Sequence, residues 1–171
     1  MAREPPDQER LQHRRAPRYD PPFGGREMIA PPVSAGDHFV FYGLLKQGMP
    51  GGPKGVDLER HGEFLGPCRF KGAMFDMGSY PGVLRKEGIC HGMLYRLDHP
   101  RIARKLDAFE GVRTDAPVKA LYRREKVSIL DDFGRPCTKA WAYVYNRPVA
   151  GRPMVRSGFW SAGRKSAART A

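Results

Sequence analysis

The sequence lacks the patterns that mark membrane, secreted and metal-binding proteins. No apolar run approaches the roughly 20 residues that a spanning helix needs, and the amino terminus has no apolar segment of signal-peptide type. The three cysteines, Cys68, Cys90 and Cys137, form no CxxC pair, so we expect buried free thiols. The five histidines show no metal-ligand spacing. We therefore expect a cytoplasmic protein without a metal site.

Acidic residues are also few compared with basic ones. The chain has 30 Lys and Arg against 18 Asp and Glu, which gives a net charge of +12. The excess is densest in residues 151–171, which carry five basic and no acidic residues. A short basic tail attracts polyanions without specificity. We therefore expect no specific nucleic-acid partner and no membrane partner, while weak polyanion binding by the tail stays open as an alternative.

The chain divides into an extension, a domain and a tail. Residues 1–36 contain seven prolines and no apolar periodicity, which predicts disorder or an extended strap along the domain. The candidate anchors of such a strap are Phe23, Met28 and Ile29. Residues 37–150 have the apolar content of a folded domain, and residues 151–171 form the basic tail.

The domain pattern predicts many strands and one main helix. Aromatic and β-branched runs or period-two alternation indicate strands at 38–42, 61–66, 68–76, 90–97, 121–130 and 138–145. Turn residues occur at 78–82 and 131–134. This balance predicts an α+β domain built on a mixed or antiparallel sheet that curls toward a barrel.

The main helix ends beside an acidic residue, Glu110. Pro100 suits the first turn of this helix, and Gly111 suits the position just past its end. Its apolar stripe consists of Ile102, Ala103, Leu106 and Phe109. Glu110 falls on the same side, where partial burial and the negative end of the helix dipole both raise a carboxyl pKa. Such a group can exchange protons near neutral pH, although this helix alone favours a solvated or salt-bridged Glu.

Four short motifs follow one another in a specific order. They are Tyr42-Gly43-x-Leu45; Gly78-x-Tyr80-Pro81-Gly82 with His91-Gly92-x-Leu94-Tyr95; Leu106-Asp107-x-Phe109-Glu110-Gly111; and Tyr122-Arg123-Arg124 with Ala140-Trp141-x-Tyr143-Val144-Tyr145. In this order and spacing, the motifs resemble the γ-glutamylcyclotransferase-like family, which includes the γ-glutamylamine cyclotransferases. The resemblance covers roughly residues 38–160.

The resemblance implies a fold, a reaction and a set of site residues. The implied fold is a small mixed β-barrel flanked by helices, with a cavity at one end. The implied reaction converts a small γ-glutamyl compound to 5-oxoproline and a free amine or amino acid, without a cofactor. Glu110 is the implied catalytic carboxylate. The candidate substrate-binding residues are Tyr42, Gly43, Leu44 and Leu45, whose loop offers backbone amides, together with Tyr80, Pro81, Gly82 and Tyr122.

Three positions depart from the family pattern. Leu44 stands where the family usually has Ser or Thr, Met93 stands where an acidic residue is common, and Phe159 stands where Asp is usual. The resemblance therefore does not extend to the identity of the substrate or of the leaving amine. A non-catalytic member that binds a small molecule or a protein partner stays open as an alternative function. The sequence does not indicate the oligomeric state.

Overall fold

The computed structural model describes residues 31–46 and 53–161. The strands in this part of the chain are β1 (His38–Phe41), β2 (Gly62–Asp76), β3 (Pro81–Leu97), β4 (Tyr122–Leu130) and β5 (Pro136–Tyr145). The α-helices are α1 (Leu58–His61) and α2 (Ala103–Phe109), and single 3₁₀ turns occur at Pro100–Ile102 and Pro117–Lys119. The prediction of a sheet-rich α+β domain with few helices is confirmed.

The strands close into a barrel in the order β1-β3-β2-β4-β5. Neighbouring strands are antiparallel except for β1 and β5, which run parallel and meet at Phe39 and Trp141. The longest pairing joins β2 and β3, whose register runs from Gly62 opposite Leu97 to Asp76 opposite Pro81. The sheet is therefore mixed, and its first strand is enclosed by a neighbour on each side.

Both faces of β1 are buried. Alternation along the strand sends Phe39 and Phe41 into one apolar cluster, which also contains Leu106 of α2. Val40 and the following Tyr42 enter a second cluster. Because β1 is fixed on both faces, the loop that follows it starts from a rigid position.

The second strand is longer than the sequence pattern indicates. The predicted strands at 61–66 and 68–76 are parts of the single strand β2. The register shifts between Phe64 and Gly66, where Gly66 adopts a φ of 121°. This irregularity lets the strand continue past Pro67, which lacks the N–H group of an ordinary strand residue.

The third strand begins well before the predicted residue 90. Pro81 and Gly82, which we assigned to a turn, are its first residues and pair with Asp76 and Phe75. Residues 85–89 of the same strand are exposed. Arg85, Lys86 and Glu87 give this stretch three consecutive charged side chains and no period-two alternation, so its pattern does not indicate a strand.

The predicted end of the main helix at Gly111 is correct, but the prediction that Phe109 belongs to its buried stripe is wrong. Gly111 follows α2 with a φ of 64°, the left-handed conformation that favours glycine after a helix. Ile102, Ala103 and Leu106 are buried, but Phe109 is 37% exposed. Phe109 is the last residue of α2, where neighbouring elements cover only part of its side chain.

The described end of the extension, residues 31–36, lies against the domain. Val33 packs on the first apolar cluster, and the N–H group of Gly36 donates to the carbonyl of Leu97 at 2.7 Å. The candidate anchors Phe23, Met28 and Ile29 lie outside the described residues. The boundary between extension and domain stays a prediction.

The described part of the tail, residues 151–161, also contacts the barrel. The N–H group of Val155 donates to the carbonyl of Met74 at 2.8 Å, and Met154 forms an isolated bridge with Phe75. Trp160 is buried in the second apolar cluster. These residues therefore brace β2.

Two further expectations concern the cysteines and the helices. Cys90 is buried as expected, but Cys137 is exposed, because it lies near the hairpin end of β5. No helix in the described part of the chain combines the length and the apolar character needed to cross a lipid bilayer.

Candidate active site

A cavity of about 220 Å³ lies where the loop after β1, the start of β3 and the end of α2 meet. Its wall is largely aliphatic and aromatic. The residues that line it are Val40, Phe41, Tyr42, Gly43, Leu44, Leu45, Tyr80, Pro81, Phe109, Glu110, Leu121, Tyr122 and Tyr143.

The loop after β1 supplies backbone donors. The chain turns at Gly43, whose carbonyl accepts from the N–H group of Lys46 at 3.2 Å. A Cβ atom on Gly43 would lie 3.1 Å from the ring of Pro81, so glycine lets the loop approach the start of β3. Among the described residues, no acceptor pairs with the N–H groups of Gly43, Leu44 or Leu45. These three N–H groups therefore have no partner in the described part of the chain, and the residues that carry them line the cavity.

The start of β3 forms the facing wall. The Tyr122 hydroxyl donates to the carbonyl of Pro81 at 2.6 Å, and the Tyr80 ring meets the Tyr122 ring edge-on at 6.4 Å. Gly82 does not line the cavity, unlike the sequence-based expectation. It lies behind the wall, where a Cβ atom would come within 2.8 Å of the Tyr145 ring.

The chain around Glu110 is tightly constrained. Glu110 caps α2, and its N–H group donates to the carbonyl of Leu106 at 3.0 Å. The carbonyl of the following Gly111 accepts from the N–H group of Leu121 at 3.0 Å. A Cβ atom on Gly111 would lie 3.2 Å from that of Leu121. The backbone that carries the Glu110 side chain is thus fixed on both sides.

The carboxyl group of Glu110 is electrostatically perturbed. Its burial, together with the negative charge of Asp107, raises its pKa from 4.5 to about 8. With that pKa, the group is mostly neutral at pH 7 and ionises within reach of physiological pH. It can therefore both accept and donate a proton under ordinary conditions.

A buried ion pair lies next to this carboxyl group. Arg124 donates to both oxygens of Asp107, at 2.8 and 2.7 Å, and to the carbonyl of Pro31 at 2.6 Å. The Tyr143 hydroxyl donates to Asp107 at 2.9 Å. Burial raises the pKa of Asp107, and the charge of Arg124 opposes that shift. Arg124 and Tyr143 therefore both favour the ionised form of Asp107, whose negative charge acts on Glu110.

Three tyrosines surround Glu110, and the hydroxyl of each is already engaged. Tyr42 donates to the carbonyl of Tyr143, Tyr143 donates to Asp107, and Tyr122 donates to Pro81. Burial is the main cause that raises the pKa of each of these tyrosines, and the negative charge of Glu110 adds to it. The tyrosines thus shape the wall as neutral groups.

The sequence profile of the family described as "Gamma-glutamyl cyclotransferase, AIG2-like" matches residues 39–162. This chain belongs to that family. A putative γ-glutamylcyclotransferase from Vibrio cholerae is 31% identical over 126 residues, which are 72% of this chain and 95% of that protein. The γ-glutamylcyclotransferase family protein YtfP of Escherichia coli K12 is 36% identical over 87 residues, which are 51% of this chain and 66% of that protein. The chain thus spans slightly less than two thirds of the length of YtfP.

Solved structures of the family share the fold. An AIG2-like protein from Mus musculus superposes with a TM-score of 0.55 at 19% identity, over 77% of this chain and 99% of that one. The solution structure of ytfP from Escherichia coli gives a TM-score of 0.50 at 30% identity, over 72% of this chain and 95% of that one.

Most of the residues singled out from the family motifs meet at one place. Those that line the cavity are Tyr42, Gly43, Leu44, Leu45, Tyr80, Pro81, Glu110 and Tyr122. Sequence reasoning did not place five other lining residues there: Val40, Phe41, Phe109, Leu121 and Tyr143. Their alternation or position in the helical stripe indicated core packing, and only the position of Leu121 beside Tyr122 was a local signal.

Of the three departures from the family pattern, only Leu44 lines the cavity. Met93 lies within β3 opposite Phe41. Phe159 is 62% exposed and stacks on the His91 ring at 3.8 Å. Leu44 is therefore the one departure of the three that can contact a ligand in the cavity. It offers an aliphatic side chain where the family usually has a hydroxyl group.

Proposed function

We propose that this protein is a γ-glutamylcyclotransferase that converts a small γ-glutamyl compound to 5-oxoproline and a free amine or amino acid. Family membership supports a cyclotransferase-like function in general. The observation that supports the specific reaction is Glu110, a carboxyl group with a pKa of about 8 on the wall of a cavity. Gly43, Leu44 and Leu45 line the same cavity, and their N–H groups have no acceptor among the described residues, so they are the candidate donors to the substrate.

The reaction needs one group that moves a proton between two nitrogens. The α-amine of the substrate attacks its own γ-carbonyl carbon, which forms the ring C–N bond and a tetrahedral oxyanion. Ionised Glu110 accepts the proton that the attacking nitrogen releases. When the oxyanion collapses, the bond to the leaving nitrogen breaks, and protonated Glu110 returns the proton to that nitrogen. A pKa near the working pH suits both steps.

Orientation supplies much of the remaining rate enhancement. The ring closure is intramolecular, so the site only has to hold the substrate in a folded conformation. In this proposal, the N–H groups of Gly43, Leu44 and Leu45 bind the α-carboxylate and the developing oxyanion. The absence of a side chain on Gly43 leaves its amide accessible. The rings of Tyr80 and Tyr122 complete the wall.

The experiment that tests this function measures 5-oxoproline release from a panel of γ-glutamyl amines and amino acids. It compares the wild type with Glu110→Gln and with Glu87→Gln, which makes the same change at an exposed residue outside the cavity. We expect Glu110→Gln to lower kcat/KM by roughly 100-fold to 10,000-fold and Glu87→Gln to leave it unchanged. Equal turnover by all three proteins would contradict the proposed mechanism.

A second candidate is a non-catalytic binding module, which the apolar side chain of Leu44 at the cavity wall favours. Calorimetric binding of γ-glutamyl compounds distinguishes the two functions. Binding without 5-oxoproline release over the whole panel supports the module, whereas turnover by the wild type excludes it.

A further inference from the structure

A groove of about 960 Å³ runs along α2 and shares no lining residue with the cavity that holds Glu110. One wall consists of residues 100–108, and the facing wall includes residues 31–33 of the extension. We call this surface the α2 groove. Val33, Ala103 and Val112 give it apolar surface, and its volume is large enough for several side chains of another segment.

The α2 groove carries an excess of positive charge. Arg101, Arg104 and Arg124 line it, against the carboxylate of Asp107. Arg124 and Asp107 neutralise each other through their two hydrogen bonds. Within the described residues, Arg101 and Arg104 form no ion pair. The groove therefore fits an occupant that combines apolar side chains with a negative charge.

The extension meets the domain at this groove. The carbonyl of Pro31 accepts a hydrogen bond from Arg124 at 2.6 Å, and the N–H group of Gly36 fixes the chain on the carbonyl of Leu97. Residues 1–30 lie outside the described part of the chain, but their point of attachment does not. Because a chain spans at most about 3.6 Å per residue, residues 27–30 lie within about 15 Å of Pro31.

The sequence just before Pro31 has the chemistry that the α2 groove fits. Glu27, Met28 and Ile29 place one carboxylate beside two large apolar side chains. A segment attached at the groove has an effective concentration in the millimolar range. It therefore competes well with a free small molecule of the same chemistry.

We propose that residues 27–30 bind in the α2 groove, with Met28 and Ile29 against its apolar surface and Glu27 beside its unpaired arginines. The helix α2 has seven residues, too few to be stable without contacts from the rest of the protein. Leu106 packs on the barrel, whereas Arg104 and Ala108 are exposed in the described residues. The bound segment covers this exposed side, and so it braces the helix that ends at Glu110. The proposal does not depend on the catalytic function.

Amide hydrogen exchange followed by mass spectrometry tests the binding in the full chain. We expect the amides of residues 27–30 to exchange at least roughly tenfold more slowly than those of an unstructured peptide with the same sequence. Exchange at the rate of the unstructured peptide overturns the proposal. Protection that disappears on dilution also overturns it, because the segment then binds a second copy of the chain.

Substitutions at two exposed residues of α2 locate the binding site. Ala108 lines the α2 groove, whereas Lys105 does not. The indole ring of Ala108→Trp fills the groove, so we expect this variant to abolish the protection of residues 27–30. Lys105→Trp introduces the same side chain outside the groove and should leave the protection intact. Protection that survives in Ala108→Trp overturns the assignment of the segment to this groove.

A double variant of the segment tests whether it braces α2. Met28→Asp with Ile29→Asp replaces the apolar contacts by charges that are costly to bury. We expect the amides of residues 103–110 to exchange at least roughly threefold faster in this variant than in the wild type. The control is Phe133→Asp, because Phe133 is 82% exposed outside the α2 groove and should leave the exchange unchanged. Wild-type exchange of α2 in the double variant overturns the bracing role.

Discussion

At the scale of single residues, the account depends on how Glu110 is held. Sequence reasoning attributed its raised pKa to partial burial and the helix dipole. The structure supports the burial and adds the negative charge of Asp107, three residues earlier in the chain. The left-handed Gly111 then turns the chain toward Leu121 and keeps the carboxyl group at the cavity wall.

The pH dependence of turnover follows from this pKa. The free enzyme must have Glu110 ionised to accept the proton, and the ionised fraction rises with pH up to about 8. We therefore expect log kcat/KM to rise by at least about one unit per pH unit below that value, because the substrate α-amine must also be neutral to attack. Steady-state assays between pH 5.5 and 9 with one γ-glutamyl amide measure the profile.

The control for this profile is Glu87→Gln, which should show the same midpoint as the wild type. Asp107→Asn should move the midpoint to lower pH, because it removes a negative charge that raises the pKa of Glu110. A wild-type profile that is flat between pH 5.5 and 8 would mean that Glu110 does not control the proton transfer.

At the scale of secondary-structure elements, one ion pair joins α2 to β4. The Arg124 side chain is 4% exposed and that of Asp107 is 18% exposed, whereas the neighbouring pair of Arg123 and Glu125 is exposed to solvent. Breaking a buried pair leaves its partner charge without compensation, while an exposed pair contributes little.

Matched substitutions of Arg124 and Arg123 measure how much more the buried ion pair contributes to stability than the exposed one. We expect Arg124→Met to lower the free energy of unfolding by about 3–5 kcal/mol and Arg123→Met to lower it by less than about 1 kcal/mol. Urea unfolding monitored by tryptophan fluorescence gives both values. An equal decrease in the free energy of unfolding in the two variants would show that Arg124 does not stabilise the contact between α2 and β4.

The elements could be predicted from sequence to different extents. The strands β4 and β5 were located within two residues, because buried positions alternate with polar ones in β4 and a run of aromatic and β-branched residues marks β5. The first half of β3 was missed, since residues 85–89 are exposed and begin with the charged run Arg85-Lys86-Glu87. The exposure of Phe109 could not be predicted either, because it depends on how the end of α2 packs against the barrel.

The candidate site was predicted only through the order of its motifs. No local pattern shows that Gly43, Pro81 and Glu110 meet, because their proximity depends on the pairing of β1 with β3 and on the docking of α2. The contribution of Asp107 to the pKa of Glu110 likewise depends on tertiary burial. Gly82 was assigned to the wall because it adjoins Pro81, but strand alternation turns it toward Tyr145.

At the scale of the whole molecule, segments outside the predicted domain brace the site. Pro31 of the extension accepts a hydrogen bond from Arg124. Trp160 of the tail is buried beside Tyr42, and its carbonyl accepts from Lys46 in the loop that lines the cavity. The described tail residues are therefore part of the folded structure.

Two adjacent aromatic residues test this role of the tail. Trp160 is 5% exposed and Phe159 is 62% exposed. We expect Trp160→Ala to lower the free energy of unfolding by about 3–5 kcal/mol and Phe159→Ala by less than about 1 kcal/mol. Thermal and urea unfolding measure the free energy of unfolding of both variants. A decrease of less than about 1 kcal/mol in Trp160→Ala would show that the tail does not brace the barrel.

The central claim is that the fold holds Glu110 as a carboxyl group that exchanges protons near neutral pH. Titration of the ¹³C-labelled glutamate carboxyl resonances by NMR tests it most directly, and the resonance that is missing in Glu110→Gln identifies the residue. The account predicts a midpoint near pH 8 for this resonance. A midpoint near the ordinary value of 4.5 would contradict the account.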